Sequence, residues 1–526
     1  MLRSEPVAKE FCAYTALHRS TQAPEVSVDF VLPDYYGDIR RILQVSATPR
    51  LDGVFREETH LEYDGTVTFS ILYLTEEDHL RNLTFSESFS GECEISQMNA
   101  ESLVSVLPVA ESVTCRVQGP RKLTARCKLQ VSITARHHTC LTPGFDGHYR
   151  AEDEATVSYD RSEITTMRML ELEEKDLSLT EELTLDSTLP AISEIIRSDV
   201  TLHILECHPT ADELACRGEA ILSVLYRGEG AGATEHYACF TKKIPFATAL
   251  TSDELTDRFT CRCIATPATW RVMPQTNSYG EMRTISLSLT WDLLAICCIN
   301  DTRAITRDLF SPKYPCAGEM IRLPVTQLVS CQRTSCSVTE AKPRTELGAE
   351  AASAVLQVLG EVKQESLSYD KARGRICFTG KASACVLMQN GENGGISDAT
   401  LTLPVRCELP CLPIEGGEEL DCTCRLIGAE GRLDTNNLIL SLEVAVEVGC
   451  FATQEVSLVE SIHLDTAHPL DEKRPAMLLY YPTRGEQLWE IAKRFHVTPD
   501  ALLGANRLGA QDAVDTQVLL IPRILR

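Results

Sequence analysis

Apolar and polar residues alternate along most of this chain. In Gly65-Thr66-Val67-Thr68-Phe69-Ser70-Ile71-Leu72-Tyr73, the residues Val67, Phe69 and Ile71 share one face, and hydroxyl residues share the other. A period of two, enriched in Thr, Val and Ile, predicts half-buried antiparallel strands. Related blocks run from Gly218 to Tyr226 and from Gly380 to Met388. In all three a Leu follows the Gly by seven residues: Leu72, Leu225 and Leu387. Each block is followed by a polar turn and a further strand.

A second landmark recurs in the same order. Thr114-Cys115-Arg116, Thr260-Cys261-Arg262 and Thr423-Cys424-Arg425 begin 49, 42 and 43 residues after the block glycines. Alternating strands then close each repeat, at Leu123–Ile133, Thr284–Trp291 and Leu438–Val446. Leu32-Pro33 and Leu189-Pro190 open the first two repeats, and the third has no such pair. The pattern predicts three β-rich, sandwich- or barrel-like units over 24–140, 186–320 and 346–465. Residues 141–185 read as an acidic linker, because Glu171, Glu173, Glu174, Asp176, Glu181 and Glu182 crowd its second half. A solvated linker or an exposed helix is expected there. The Gly-rich stretches Gly228–Gly232 and Gly391–Gly395 lack the Lys-Ser/Thr of a phosphate loop and follow the block strands directly. They are predicted to be hairpin turns.

After Met477 the period changes. Leu478 to Pro482 reads as a short strand, and Leu488, Ile491, Ala492 and Phe495 fall on one face of a helix. Thr498 suits an N-cap and Pro499 the first position of a second helix running to Asn506. Gln517–Ile521 is the closing strand.

Composition narrows the function. Fifty Lys and Arg stand against 75 Asp and Glu, a net charge of −25. That excludes a general nucleic-acid binder and docking on an anionic membrane. No apolar run approaches a spanning helix, and no signal peptide is read at the N-terminus. Residues 476–526 differ, with a net charge of +1. The 22 cysteines show no zinc-finger spacing, and C-x-C recurs at Cys261/Cys263 and Cys422/Cys424. On a strand each such pair shares a face, so reduced core thiols are expected, with metal or disulfide roles as the alternatives. His137, His138 and Cys140 could form part of a metal site. The chain carries no G-x-S-x-G, no H-E-x-x-H and no Cys/His peptidase motif. No enzyme activity, cofactor or metal is therefore expected.

The C-terminal segment resembles a LysM domain. The likeness rests on Gly485, Leu488-Trp489, Ile491-Ala492, Phe495, Asn506 and Ile521-Pro522. It implies a βααβ module over 477–523 and a groove for N-acetylglucosamine-containing glycan. Gly485, Glu486 and Gln487 would lie on one side of that groove, and Leu508, Gly509 and Ala510 on the other. Gln487 stands where the family carries a small hydroxyl residue. The three β units resemble the SPOCS domain of sporulating Firmicutes. SPOCS repeats followed by one LysM are similar to spore coat morphogenetic proteins of clostridia. That likeness implies an adaptor in the mother-cell cytoplasm at the forespore surface. Its LysM module would bind stage IV sporulation protein A, the ATPase of the coat's basement layer. The alternative is a peptidoglycan- or chitin-type glycan-binding protein of the cell or spore envelope. Leu508 is expected to lie past the second helix, outside the core, as part of a lip for the protein partner.

Overall fold

The computed structural model describes residues 11–96, 98, 102–141, 157–229, 236–391, 394–414, 416–465, 467–470, 478–508 and 518–522. The described chain is mainly β, in several small sheets, with two short helices. One strand order recurs three times. In the first set β3 (Ile39–Glu57), β4 (His60–Thr75) and β5 (Leu80–Glu94) form one sheet. The second sheet joins β1 (Phe11–Gln22), β2 (Glu25–Val31) and β6 (Leu103–Gly119) to β7 (Lys122–Leu141). The second set pairs β9 (Ile192–Pro209), β10 (Glu213–Gly228) and β11 (His236–Thr251) in one sheet. Its other sheet holds β8 (Ser158–Thr184), β13 (Met282–Phe310) and β12 (Thr260–Thr276). The third set repeats this with β15 (Ala352–Asp370), β16 (Arg375–Asn390) and β17 (Ile396–Pro410), and with β14 (Cys316–Pro343), β19 (Asn437–Leu464) and β18 (Gly417–Leu433). In each set the two sheets bury one common apolar core.

The block glycines sit at equivalent places. Gly65, Gly218 and Gly380 lie on the central strands β4, β10 and β16. Each is beside a bulge on the preceding strand, at Asp52, Leu205 and Glu365. A Cβ on any of them would come under 3.0 Å from a backbone oxygen, that of Arg50, His203 or Lys363. Only glycine admits that approach. The strands flanking the Gly-rich segments pair with each other, Gly228 with His236, and the Asn390 amide donates to the Gly395 carbonyl; residues 230–235, 392 and 393 lie outside the described residues.

Several expectations need correction. Residues 158–184 are the strand β8, paired with β13 along its length except at a bulge over Lys175 and Asp176, and not an acidic linker or exposed helix. The run Leu170-Glu171-Leu172-Glu173 alternates: its leucines pack on the core while its acids fall on the other face. The N-terminal strand of each set also pairs with the last, β1 and β2 with β7, β8 with β13 and β14 with β19. The sets therefore begin upstream of residues 24, 186 and 346. Leu32-Pro33 and Leu189-Pro190 do not open them but lie in the crossovers between sheets, where Arg121 and Arg283 donate to their carbonyls. In the third set Arg344 from the crossover itself does this work. The Thr-Cys-Arg landmark falls on corresponding strands at different registers. Measured from the shared bulge residues Glu111, Ala268 and Ile427, Cys115 comes after and Cys261 and Cys424 come before.

Two kinds of contact join the three sets. The first is apolar. Leu72, Leu225 and Leu387, all fully buried, meet in one cluster, while their neighbours Tyr73, Tyr226 and Met388 face back into the separate cores. A second shared bulge pushes Leu43, Ile196 and Leu356 into the same cluster. Polar groups rim it. Arg197 donates to Gln44 Oε1 at 2.7 Å, Gln357 donates to Ser223 Oγ at 2.9 Å, and Arg41 pairs with Asp398. The second contact is a charged seam on the other sheets. Arg262 pairs with Asp421, Arg19 with Glu419 at 3.1 Å, and Arg136 lies over the Phe451 ring at 5.5 Å. Arg425 donates to the Leu202 and Ala265 carbonyls, and Arg333 to those of Ile204 and Leu205.

Candidate functional site

The C-terminal module places two short helices between paired strands. β20 (Leu478–Tyr480) runs antiparallel to β21 (Leu519–Ile521). Between them lie α1 (Leu488–Arg494) and α2 (Pro499–Asn506). Thr498 caps α2 by accepting from the Ala501 amide at 3.2 Å, and Pro499 opens it. Asn506 ties α2 to β21: its amide donates to the Leu502 and Leu520 carbonyls and its oxygen accepts from the Leu520 amide. Ile491, Ala492, Val497, Leu502, Leu519 and Ile521 form the buried centre.

The residues predicted to line a groove fare differently. Gly485 has φ +85°, a left-handed turn that glycine adopts freely, and the space beside it is open. Gln487 is the N-cap of α1 in extended conformation, without a capping bond from its side chain. The Glu486 carboxylate is occupied internally. It accepts from the Tyr480 hydroxyl at 2.9 Å and from the Thr483 amide and hydroxyl at 3.0 and 3.2 Å, and it pairs with Arg494 at 2.7 Å. The Thr483 amide, the Tyr480 hydroxyl and Arg494 together hold its carboxyl below the usual range. Leu508 corrects the expectation made for it: it is half-buried and packs on the module's core, because the left-handed Arg507 turns the chain back after α2. Gly509 and Ala510 lie outside the described residues, as do the side chains of His138 and Cys140.

The sequence reading missed where the module meets the β body. Trp489 and Lys493, four residues apart on α1, share one partner at the end of β13. Trp489 Nε1 donates to Asp308 Oδ2 at 2.8 Å, and Lys493 Nζ reaches both oxygens of Asp308 at 2.7 Å. The Trp489 ring packs edge-on to Phe310 at 5.0 Å, and Phe310 is buried within the module's own cluster. Burial works to raise the Asp308 carboxyl, but these donors outweigh it and its pKa is lowered. A bulge at Arg307 shifts the strand phase just before Asp308. Nothing in the local sequence of β13 marks that bulge.

The outer face of the module is apolar. Leu479, Tyr481 and Val518 are exposed on or beside its two strands, with Tyr481 at 72%. The twenty described cysteines are all free thiols. Among the described residues no helix is long and apolar enough to cross a membrane.

No family model, no curated protein and no solved structure matches this chain.

Proposed function

We propose that the protein is a non-enzymatic adaptor of spore coat assembly, with three SPOCS-type units and a LysM-type module. The module docks a partner of the type of stage IV sporulation protein A, in the mother-cell cytoplasm at the forespore surface. The division of the module's surface supports this reading. Its groove acid, Glu486, is consumed by internal bonds, whereas Leu479, Tyr481 and Val518 stay exposed. An internally satisfied carboxylate has little left to offer a sugar hydroxyl, while exposed aromatic and aliphatic groups suit a protein surface. The near-neutral charge of the segment avoids the repulsion that the acidic units would bring to an acidic partner. The test is titration of the full-length chain and of Tyr481→Asp against the ATPase and against N-acetylglucosamine oligomers. Binding of the ATPase that Tyr481→Asp weakens at least tenfold is expected. Micromolar glycan binding without ATPase binding would replace the adaptor with the glycan-binding alternative.

A further inference from the structure

The second set of sheets gathers thiols where packing alone does not call for them. Cys207 on β9 lies directly opposite Cys216 on β10. Cys263 reaches them from β12 in the facing sheet. The three Sγ atoms lie within 4.8 Å of one another, and Cys216 and Cys263 are 3.4 Å apart. Cys216 and Cys263 are buried, while Cys207 is half-buried at the rim. The bulge at Leu205 creates this arrangement. Leu202 and Ile204 point into the core, so strict alternation would turn Cys207 outward. One extra residue reverses the phase and brings its sulfur inside.

We propose that Cys207, Cys216 and Cys263 form a binding site for a thiophilic d10 metal ion, zinc(II) in the first instance. Zinc–thiolate bonds of about 2.3 Å in tetrahedral array place sulfurs roughly 3.8 Å apart, a spacing that the cluster meets with small side-chain adjustments. Three strands from two sheets supply the ligands, so the backbone holds them close before any ion arrives. Charge is also provided for. Three thiolates around a dication carry one net negative charge, and the Arg333 guanidinium lies beside Cys207. A cavity of about 80 Å³ adjoins the site, lined by Cys263, His203, Arg333 and Glu447 among others. It leaves room for a fourth, non-protein ligand and lies at the joint between the second and third sets. An ion there would tie the two facing sheets of the second set together.

The experiment uses the full-length chain, purified with reductant and stripped by chelator, then titrated with zinc and separately with cobalt(II). One ion per chain is expected, with a thiolate-to-cobalt charge-transfer band and a higher thermal midpoint when zinc is present. Cys207→Ser, a conservative change at the rim, and Cys263→Ser should each lose the stoichiometric ion, the band and the shift. Cys377→Ser, on a strand of the third set, should keep all three. Equal metal binding by Cys207→Ser and the parent chain would overturn the site. So would a parent chain that binds no ion, or a Cys216–Cys263 disulfide recovered from the metal-treated, chelator-free protein.

Discussion

The apolar junction and the charged seam join the same three sets of sheets by opposite means. At the apolar junction each set contributes equivalent residues: a Leu seven positions after the block glycine and a bulged Leu or Ile opposite it. At the seam the contributions are unequal. Arg262 comes from one set and Asp421 from another, Arg136 has a ring beneath it, and Arg425 caps carbonyls of its neighbour. Apolar contact is non-directional and tolerates a threefold repetition of one side chain. Ion pairs need opposite partners, so a seam cannot be built from three copies of one residue. The repeat therefore survives in the apolar junction and is lost in the charged one.

Four measurements would break or sharpen this comparison. Leu225→Ala should have the largest effect, about 2–5 kcal/mol in denaturant unfolding, because it empties a fully buried position that three sets share. Leu72→Ala and Leu387→Ala should match it within about 1 kcal/mol; a cost confined to one of the three would deny the equivalence. Arg262→Ala should cost about 1–3 kcal/mol, since it strands Asp421 beside a buried surface, moderated by the 30% exposure that Asp421 keeps. The double change Arg262→Leu with Asp421→Leu should recover most of that loss, which no second change at the apolar junction would do. Asp308→Ala should cost about 1 kcal/mol in docking of the C-terminal module. It would show as faster proteolysis after Leu464 and a changed Trp489 emission.

The smallest effect is the seam's response to pH. Burial pushes Glu419 up, against the opposing pull of Arg136 and Arg19. Burial also works to raise Asp421, but Arg262 overcomes it and the carboxyl is lowered. A raised native carboxyl penalises folding when ionised, so stability gains as pH falls through its native value toward the unfolded one. A lowered one stabilises above the unfolded value and loses that contribution as pH falls through the native value. The thermal midpoint should thus rise slightly from pH 8 toward about 5 and fall below about 4. Glu419→Gln should shrink the first arm, to which the buried Glu447 and Glu171 also contribute, and leave the second. The apolar junction predicts no such profile.

Leu508→Asp belongs with these tests as a warning. The sequence places Leu508 after a helix, where it reads as surface, yet it packs on the module's core. The change is expected to destabilise the module, so it cannot report on a partner. Tyr481, exposed at 72%, is the cleaner probe.

The sequence was enough for the block strands and their faces, the three block glycines and the N-cap of α2. Each follows from local rules: side-chain period, backbone permissiveness and turn chemistry act over a few residues. The tertiary structure alone decided that Glu171 and its neighbours belong to a paired strand, because only pairing with β13 fixes which face is covered. It alone placed the bulges at Leu205 and Arg307, which turn Cys207 inward and set the strand phase ahead of Asp308. A bulge is chosen by how two strands and a neighbouring unit fit together, and one extra residue reverses every side chain beyond it. That reversal leaves no mark in composition or spacing, which is why the thiol cluster and the module's docking contact could be seen only once the chain was folded.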